Sequence, residues 1–562
     1  MLERFVERTE FSSYQDFYDN YKLNYPDNFN FGFDIADEWA MLEPEKIALV
    51  WCNDAGEEHF FTFTDIKRGS AQIANMLTEM GVKKGDHILL ILKRRYEYWL
   101  TAVALHKIGA IVIPGSVQLT AKDLVYRNNA ARIKMIISVN EPYAIAQVEA
   151  SRPDSPSLTA CGLAGAEREG WFNFSNYLAY PDVFDRPKGK EAVYARDMML
   201  TYFTSGTTGM PKMAAHDNTY PLGHITTAKY WQRVQNNGLH LTVSDSGWAK
   251  FGWGKIYGQW IAGSAVMAYD MDKFIPSKLL NIVEKYKVTT FCAPPTMYRY
   301  FIKEDLSRFD LSGVKHASTA GEPLNPEVFI QFLKATGLKI HDGFGQSESS
   351  VIMAAFQWFE PKPGSMGKPS PLYDIDLIGE EGHSCPVGEE GEIIVRNLDK
   401  HFPEGLLKGY FQNGRVDTDC FKGGIYHTGD VAWRDVNGCY WFVGRTDDVI
   451  KCSGYRIGPF EVESAVMEHP AVLECAITAY PDEIRGQIVK ATIVLAQGYE
   501  PSGALVKEIQ EHVKKTTAPY KYPRRVEFVS ELPKTLGGKI KRAQIKRENE
   551  ERAGLEPRDQ AD

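Results

Sequence analysis

No stretch of this 562-residue chain is apolar enough to cross a bilayer. The least polar run, around residues 257–269, falls far short of the ~20 apolar residues a spanning helix needs, so no membrane partner is expected. Basic charge is scarce as well. Lys and Arg number 64 against 73 Asp and Glu, a net charge of −9, which argues against a nucleic-acid binder with its basic domain or stripe. None of the eight cysteines (Cys52, Cys161, Cys292, Cys385, Cys420, Cys439, Cys452 and Cys475) stands in a C-x-x-C pair, which removes the usual sign of a zinc site or redox dithiol. Scattered cysteines of this kind read as reduced packing residues. The first 25 residues are acidic and aromatic and lack the basic start and apolar core of a secretory signal. Together these absences lead to the expectation of a soluble, cytoplasmic protein. There is no internal repeat and no Walker A loop, because that pattern ends in Gly-Lys-Ser/Thr and the candidate here ends in Gly209-Met210-Pro211-Lys212.

What is present is an alternation of short apolar runs and helical periodicities. Residues 47–51 read as a strand. Thr64 could cap a helix with apolar positions at Ile66, Ile73, Leu77 and Met80, ended by Gly81. Strands are expected at 88–92, 110–114, 133–139 and 288–294, with helices at 97–108, closed by Gly109, and at 277–287. Such alternation favours parallel βαβ units. Residues 141–170, rich in Ser, Pro, Gly and Ala, read as a surface excursion. After Gly364 the strands become short and Gly/Asp-punctuated (373–379, 391–396, 440–443), which suggests a smaller barrel-like or antiparallel unit. From Glu461 about 100 residues alternate helix and strand, the size of a small α+β domain. The fold class is therefore α/β: a large N-terminal domain of mixed, mainly parallel sheets with a β-rich subdomain, and a small α+β C-terminal domain. The boundary falls in Gly444-Arg445-Thr446-Asp447-Asp448, giving domains 1–446 and 447–562.

The richest segment is Thr204-Ser205-Gly206-Thr207-Thr208-Gly209-Met210-Pro211-Lys212, which follows a strand-like run at 198–203. Glycines let backbone N–H groups turn inward, hydroxyls add donors, and a terminal lysine adds charge, so the loop can wrap phosphate oxygens. This string resembles the phosphate loop of the adenylate-forming superfamily of acyl-CoA synthetases, peptide-synthetase adenylation domains and luciferases. Further matches follow in the family's order. Gly321-Glu322-Pro323 resembles its adenine-side segment. Asp342-Gly343-Phe344-Gly345-Gln346-Ser347-Glu348 resembles the segment that flanks adenine and offers a glutamate to Mg²⁺, with Ser347 where Thr is usual. Asp430, in Tyr426-His427-Thr428-Gly429-Asp430, and Arg445 resemble the ribose ligands, and Asp447 the hinge. Ser453-Gly454-Tyr455-Arg456 resembles the thiol-channel loop. Residues 532–540 resemble the C-terminal lysine motif, with Gly537 where Ser or Thr is usual and Lys539 as its lysine.

The resemblance implies an enzyme that joins a carboxylic acid to ATP as an acyl-adenylate and passes the acyl group to coenzyme A. Lys539, Glu348 and Lys212 would serve the reacting phosphates, and Arg485, Lys521 and Arg524 would help hold CoA. The segment from Pro211 to Ala214 and that from Ala518 to Arg524 look most like the medium-chain branch. Gly345 stands where acetate-specific relatives carry Trp, so an open pocket floor and a medium or branched short-to-medium aliphatic acid are expected, with Trp253 and Lys255 limiting the pocket. An aryl-acid CoA ligase and a stand-alone enzyme loading a carrier protein are the alternatives. The oligomeric state stays open, a homodimer included.

Overall fold

The computed structural model describes residues 1–204, 210–379, 381–452, 455–482, 484–534 and 540–555. Two large sheets dominate. One has thirteen strands. Its centre is parallel and runs from Ile340–Phe344 through His316–Ala320, Thr290–Ala293, Leu239–Thr242 and Ala265–Asp270 to Ile47–Asn53. The other has nine strands and a parallel centre of Met198–Thr204, Ile111–Pro114, His87–Ile91, Met135–Val139 and Ala160–Ala164. Strands buried on both faces, such as His87–Ile91, read as unbroken apolar runs for that reason. Helix Glu97–Ile108 has every residue buried and ends on Gly109 at φ 83, a left-handed cap that glycine adopts without steric cost.

Three local expectations are corrected. Helix Phe63–Glu79 is capped by Thr62, not Thr64. The Asp65 carboxylate accepts in turn from the Thr62 amide and closes a capping box, while the Thr64 hydroxyl donates to Pro44 O. Residues 141–170 are not merely a surface excursion: helix Pro142–Ser151 and strand Ala160–Ala164 complete a βαβ unit against Met135–Val139. The β-rich stretch after Gly364 is not a separate barrel. Ser365–Pro369 pairs with Met353–Ala354 on one side and with Tyr440–Arg445 on the other, which joins the antiparallel strands to the thirteen-stranded sheet.

Beyond Val449 a five-stranded sheet, with its longest hairpin formed by Val472–Asp482 and Gly486–Leu495, carries helices Pro459–Met467, Gly503–Thr516 and Arg542–Leu555. It has its own core of Ile450, Val462, Ile477, Val489, Ile493, Ile509 and Val513. Among the described residues no helix is long and apolar enough to cross a membrane.

Candidate active site

Thr204, Gly321 and the segment from Asp342 lie at the carboxyl ends of parallel strands, where open α/β sheets present their binding crevice. Strands Met198–Thr204 and Lys212–Asp217 form a hairpin in which Thr204 pairs with Lys212. Ser205, Gly206, Thr207, Thr208 and Gly209 lie outside the described residues. Lys212 is exposed, and its ammonium stands 5.0 Å from the centre of the Tyr410 ring.

Four polar groups converge beside it. Gln346 Nε2 donates to Asp430 Oδ2 at 2.6 Å and to Thr428 O at 2.7 Å, and its carbonyl accepts from the Tyr426 hydroxyl at 2.9 Å. Arg445 Nη1 meets Asp430 Oδ1 at 3.2 Å and Thr428 O at 3.1 Å. The pairing of Asp430 with Arg445 across antiparallel strands is what sets them side by side. Gly429, at φ 70, leaves room for that guanidinium: a Cβ there would lie 2.7 Å from Arg445 Nη2. His427 points away and meets Glu392 Oε2 at 3.0 Å. Asp447 is exposed, 3.9 Å from Arg445 Nε, with Lys546 reaching its carbonyl at 3.4 Å.

In the segment expected to flank adenine, Gly321 follows strand His316–Ala320 at φ 104 and faces open space. Its neighbour Glu322 is tied back by the Thr296 hydroxyl and amide and faces Arg299 at 3.7 Å, with Pro323 following. Asp342 is buried, and burial pushes its carboxyl up to about 8 although the Gly343 and Leu324 amides pull it down. Its Oδ1 accepts from the Gly343 amide at 2.8 Å, so the side chain fastens the strand end. Phe344 and Ser347 complete this segment, and Ser347 O takes a hydrogen bond from the His216 ring at 2.8 Å.

Glu348 accepts from the Tyr410 hydroxyl at 3.1 Å. Burial raises its pKa, opposed by its own backbone amide, then by the Tyr410 and Thr204 hydroxyls and Arg445. It forms no ion pair among the described residues. A desolvated carboxylate whose hydrogen bonds come from neutral hydroxyls and which has no direct ion pair among the described residues fits a hard cation. Magnesium suits it, since that ion takes one or two carboxylates and completes its shell with phosphate oxygens and water. Among the described residues no cluster of three or more His, Cys, Asp or Glu could form an all-protein cage.

The acyl-side expectation is corrected at Gly345. A Cβ there would lie 2.4 Å from Trp253 Cη2 and 2.8 Å from Ser350 O, so the absent side chain makes room for a different tryptophan and does not leave the floor open. Trp253 is fixed by its indole N–H to Ser349 O at 3.1 Å and by edge-on contact with Trp231. Lys255, from the same turn of chain, faces elsewhere. It is buried among Arg94, Asp245 and Asp270, and burial and Arg94 push its ammonium down to about 7.

In the C-terminal sheet, Tyr455 stacks on Tyr520 at 4.3 Å, and Arg456 and Lys521 both act on Glu390 of the large sheet. Lys521 also pairs with Glu461, and Arg524 covers the Tyr522 ring at 4.7 Å. Arg485 precedes Gly486, which pairs with Cys452. Ser453, Gly454 and Lys539 lie outside the described residues. Tyr410 and Trp231 were not singled out in the sequence, since they come from distant elements that no local pattern marks; Tyr426 stood in the quoted Asp430 motif but was given no role.

Residues 36–411 match the family profile described as AMP-binding enzyme, and residues 461–539 match that of its C-terminal domain. The acyl-coenzyme A synthetase ACSM3, mitochondrial, of Mus musculus is 40% identical over 96% of this chain and 93% of its own length. The human acyl-coenzyme A synthetase ACSM4, mitochondrial, is 41% identical over 92% and 90%. Among solved structures, an anthranilate CoA ligase in complex with anthranoyl-AMP superposes with a TM-score of 0.86 at 28% identity, covering 94% of this chain and 99% of that one. The expectation of a cytoplasmic protein is overturned by these relatives, which are named as mitochondrial. Reduced cysteines and a missing secretory signal do not separate the two compartments. With profiles matched in both parts of the chain and full-length relatives at 40% identity, the chain belongs to the AMP-binding enzyme family.

Proposed function

We propose that this protein is an AMP-forming acyl-CoA synthetase: a carboxylic acid attacks the α-phosphorus of ATP to give acyl-AMP and pyrophosphate, and CoA then takes the acyl group and releases AMP. The supporting observation is the cluster of Asp430, Arg445 and Gln346, together with Glu348 and Lys212, which share contact with Tyr410 and have no ion-pair partner among the described residues. Asp430 offers two carboxylate oxygens to the ribose hydroxyls, with Arg445 beside it. Open space at Gly321 gives the adenine room against backbone. Lys212 and the hydroxyl loop 204–209 carry the phosphates. Magnesium held at Glu348 would neutralise the departing pyrophosphate. Lys539 would bridge the carboxylate and α-phosphate oxygens, which repel each other until a cation lies between them.

The second half-reaction needs the lysine replaced by the thiol channel. A boundary at 446/447, with Asp447 as pivot, lets one small domain present Lys539 in one pose and residues 453–456 in the other. Tyr455, Arg456, Arg485, Lys521 and Arg524 are the CoA side of that face. The acid is a medium-chain or branched short-to-medium aliphatic one, which would place the enzyme in fatty-acid metabolism. An aryl acid is the second reading, favoured by the likeness to the anthranilate CoA ligase.

The test is a panel of aliphatic and aryl acids supplied with ATP, magnesium and CoA, reading AMP and thioester together. Equal amounts of both, for aliphatic acids above aryl ones, are expected. Acid-dependent pyrophosphate exchange with no thioester would instead point to a carrier-protein acceptor, and no exchange with any acid would refute the proposal.

A further inference from the structure

We propose that Tyr410 is a positioning residue that holds Lys212 and Glu348 apart while orienting each, so that a cation for the nucleotide phosphates and a carboxylate for magnesium stay unpaired in one site. The inference rests on the roles given above to Lys212 and Glu348. Its basis is a single phenol that touches both groups by different means. The Tyr410 hydroxyl donates to Glu348 Oε1 at 3.1 Å, and the ring face lies 5.0 Å from the Lys212 ammonium. Neither charged group has an ion-pair partner among the described residues.

Opposite charges in a partly dry site are expected to close on each other. Their attraction grows as water is excluded, and a Lys212–Glu348 bridge would cancel both charges the substrate needs. Tyr410 prevents this without neutralising either one. A phenol gives the carboxylate a neutral donor and leaves its other oxygen available, while the π face attracts the ammonium and leaves its three N–H groups for phosphate oxygens.

The backbone keeps the ring in place. Strand Gly409–Gln412 lies antiparallel to Lys212–Asp217, with Tyr410 opposite Ala214. The amides just before it lock both partners: Lys408 N donates to Ala215 O at 2.7 Å, and Leu407 N donates to Glu348 O at 2.7 Å. The stretch Leu407–Tyr410 is therefore bonded to the Lys212 strand and to Glu348 itself. Its Tyr is the point where the phosphate hairpin and the magnesium carboxylate are brought into register.

The experiment uses the full chain without acid substrate. Mn²⁺ stands in for magnesium and is titrated by electron paramagnetic resonance in the presence of the non-reacting α,β-methylene ATP. The affinity for that analogue alone, in EDTA, is measured by calorimetry. Tyr410→Phe keeps the ring and loses the donor. It is expected to leave metal-free analogue binding within about twofold and to weaken Mn²⁺ about tenfold, the usual scale for losing a hydrogen bond that orients a metal ligand. Tyr410→Leu, which loses the ring, should weaken both. Glu348→Gln, run alongside, should abolish Mn²⁺ binding. If Glu348→Gln does so but Tyr410→Phe stays within twofold of the parent, or weakens both ligands equally, the role of Tyr410 is overturned while that of Glu348 stands. If Glu348→Gln leaves Mn²⁺ binding intact, the metal reading beneath both fails. Should Tyr410→Leu not fold, Tyr410→Phe alone decides the question.

Discussion

Replacing Gly345 by Ala tests whether this glycine leaves a void or seats an indole. The new methyl would meet Trp253 Cη2 at 2.4 Å, Cζ2 at 2.7 Å and Ser350 O at 2.8 Å. Carbon atoms in contact sit at about 3.5–4.0 Å, so the indole must retreat by about 1 Å. It has little freedom to do so, being tied to Ser349 O and packed edge-on against Trp231. Overpacking of this kind costs about 2 kcal/mol. Trp253→Leu should cost about 3 kcal/mol from lost apolar contact and the lost indole hydrogen bond. In the double variant the methyl has space, so the combined loss should be about 3 kcal/mol and not the additive 5. At about 2 °C per kcal/mol, thermal melts should fall by about 4, 6 and 6 °C respectively. The acid profile should move with them: Trp253→Leu should favour longer acids, each added methylene being worth about 0.8 kcal/mol. A double variant whose loss equals the sum of the two singles within ~0.5 kcal/mol, or a Gly345→Ala protein as stable as the parent, would refute the packing argument.

Three further outcomes are expected. Burial holds His87 and His341 down to about 4 in the folded chain, so the unfolded chain takes up protons first as pH falls. Stability present above about pH 6.5 should drop by about 1.4 kcal/mol per pH unit for each of them down to about pH 4. His341→Asn, which keeps a donor for Ala355 O, should flatten the pH dependence of the urea midpoint, and an unchanged slope would remove His341 from the account. Glu463 takes Arg542 through both carboxylate oxygens, at 2.8 and 2.6 Å, and ties helix Arg542–Leu555 to helix Pro459–Met467. Glu463→Gln should cost about 2 kcal/mol and speed hydrogen exchange in residues 542–555 above all; equal protection in both proteins would count against it. Lys539→Ala should slow adenylation by ~100-fold or more while thioester formation from supplied acyl-AMP persists, and an equal loss of both steps would contradict its assignment to the first.

Much of the architecture is local in origin and was therefore legible in the chain. Helix Glu97–Ile108 and its Gly109 terminus need only a periodic apolar run and a residue free to turn left-handed. The hairpin that carries the phosphate loop follows from an apolar run before it and a Gly/Thr cluster after it. The misplaced cap at Thr64 was a near miss of the same local kind: two threonines stand two residues apart, and only the reciprocal bond from Asp65 chooses between them. Residues 141–170 misled because small and polar residues are as welcome beneath a packed helix as in a loop.

The candidate site divides along the same line. The motifs Thr204–Lys212, Gly321–Pro323, Asp342–Glu348, Asp430 and Arg445 were enough, through their resemblance to a known family, to point to the family, because each is a local string of residues. Which groups meet was decided by pairing between segments far apart in the chain. Tyr410 touches both Lys212 and Glu348 because its strand pairs with the Lys212 strand in one sheet while the Leu407 amide just before it bonds Glu348 O beyond the end of a strand of the other. Trp253 occupies the space of Gly345 because its helix packs under that strand end. Side-chain type is a property of a residue, but a contact between residues hundreds of positions apart depends on strand order and register, which emerge only when the whole chain closes on its cores.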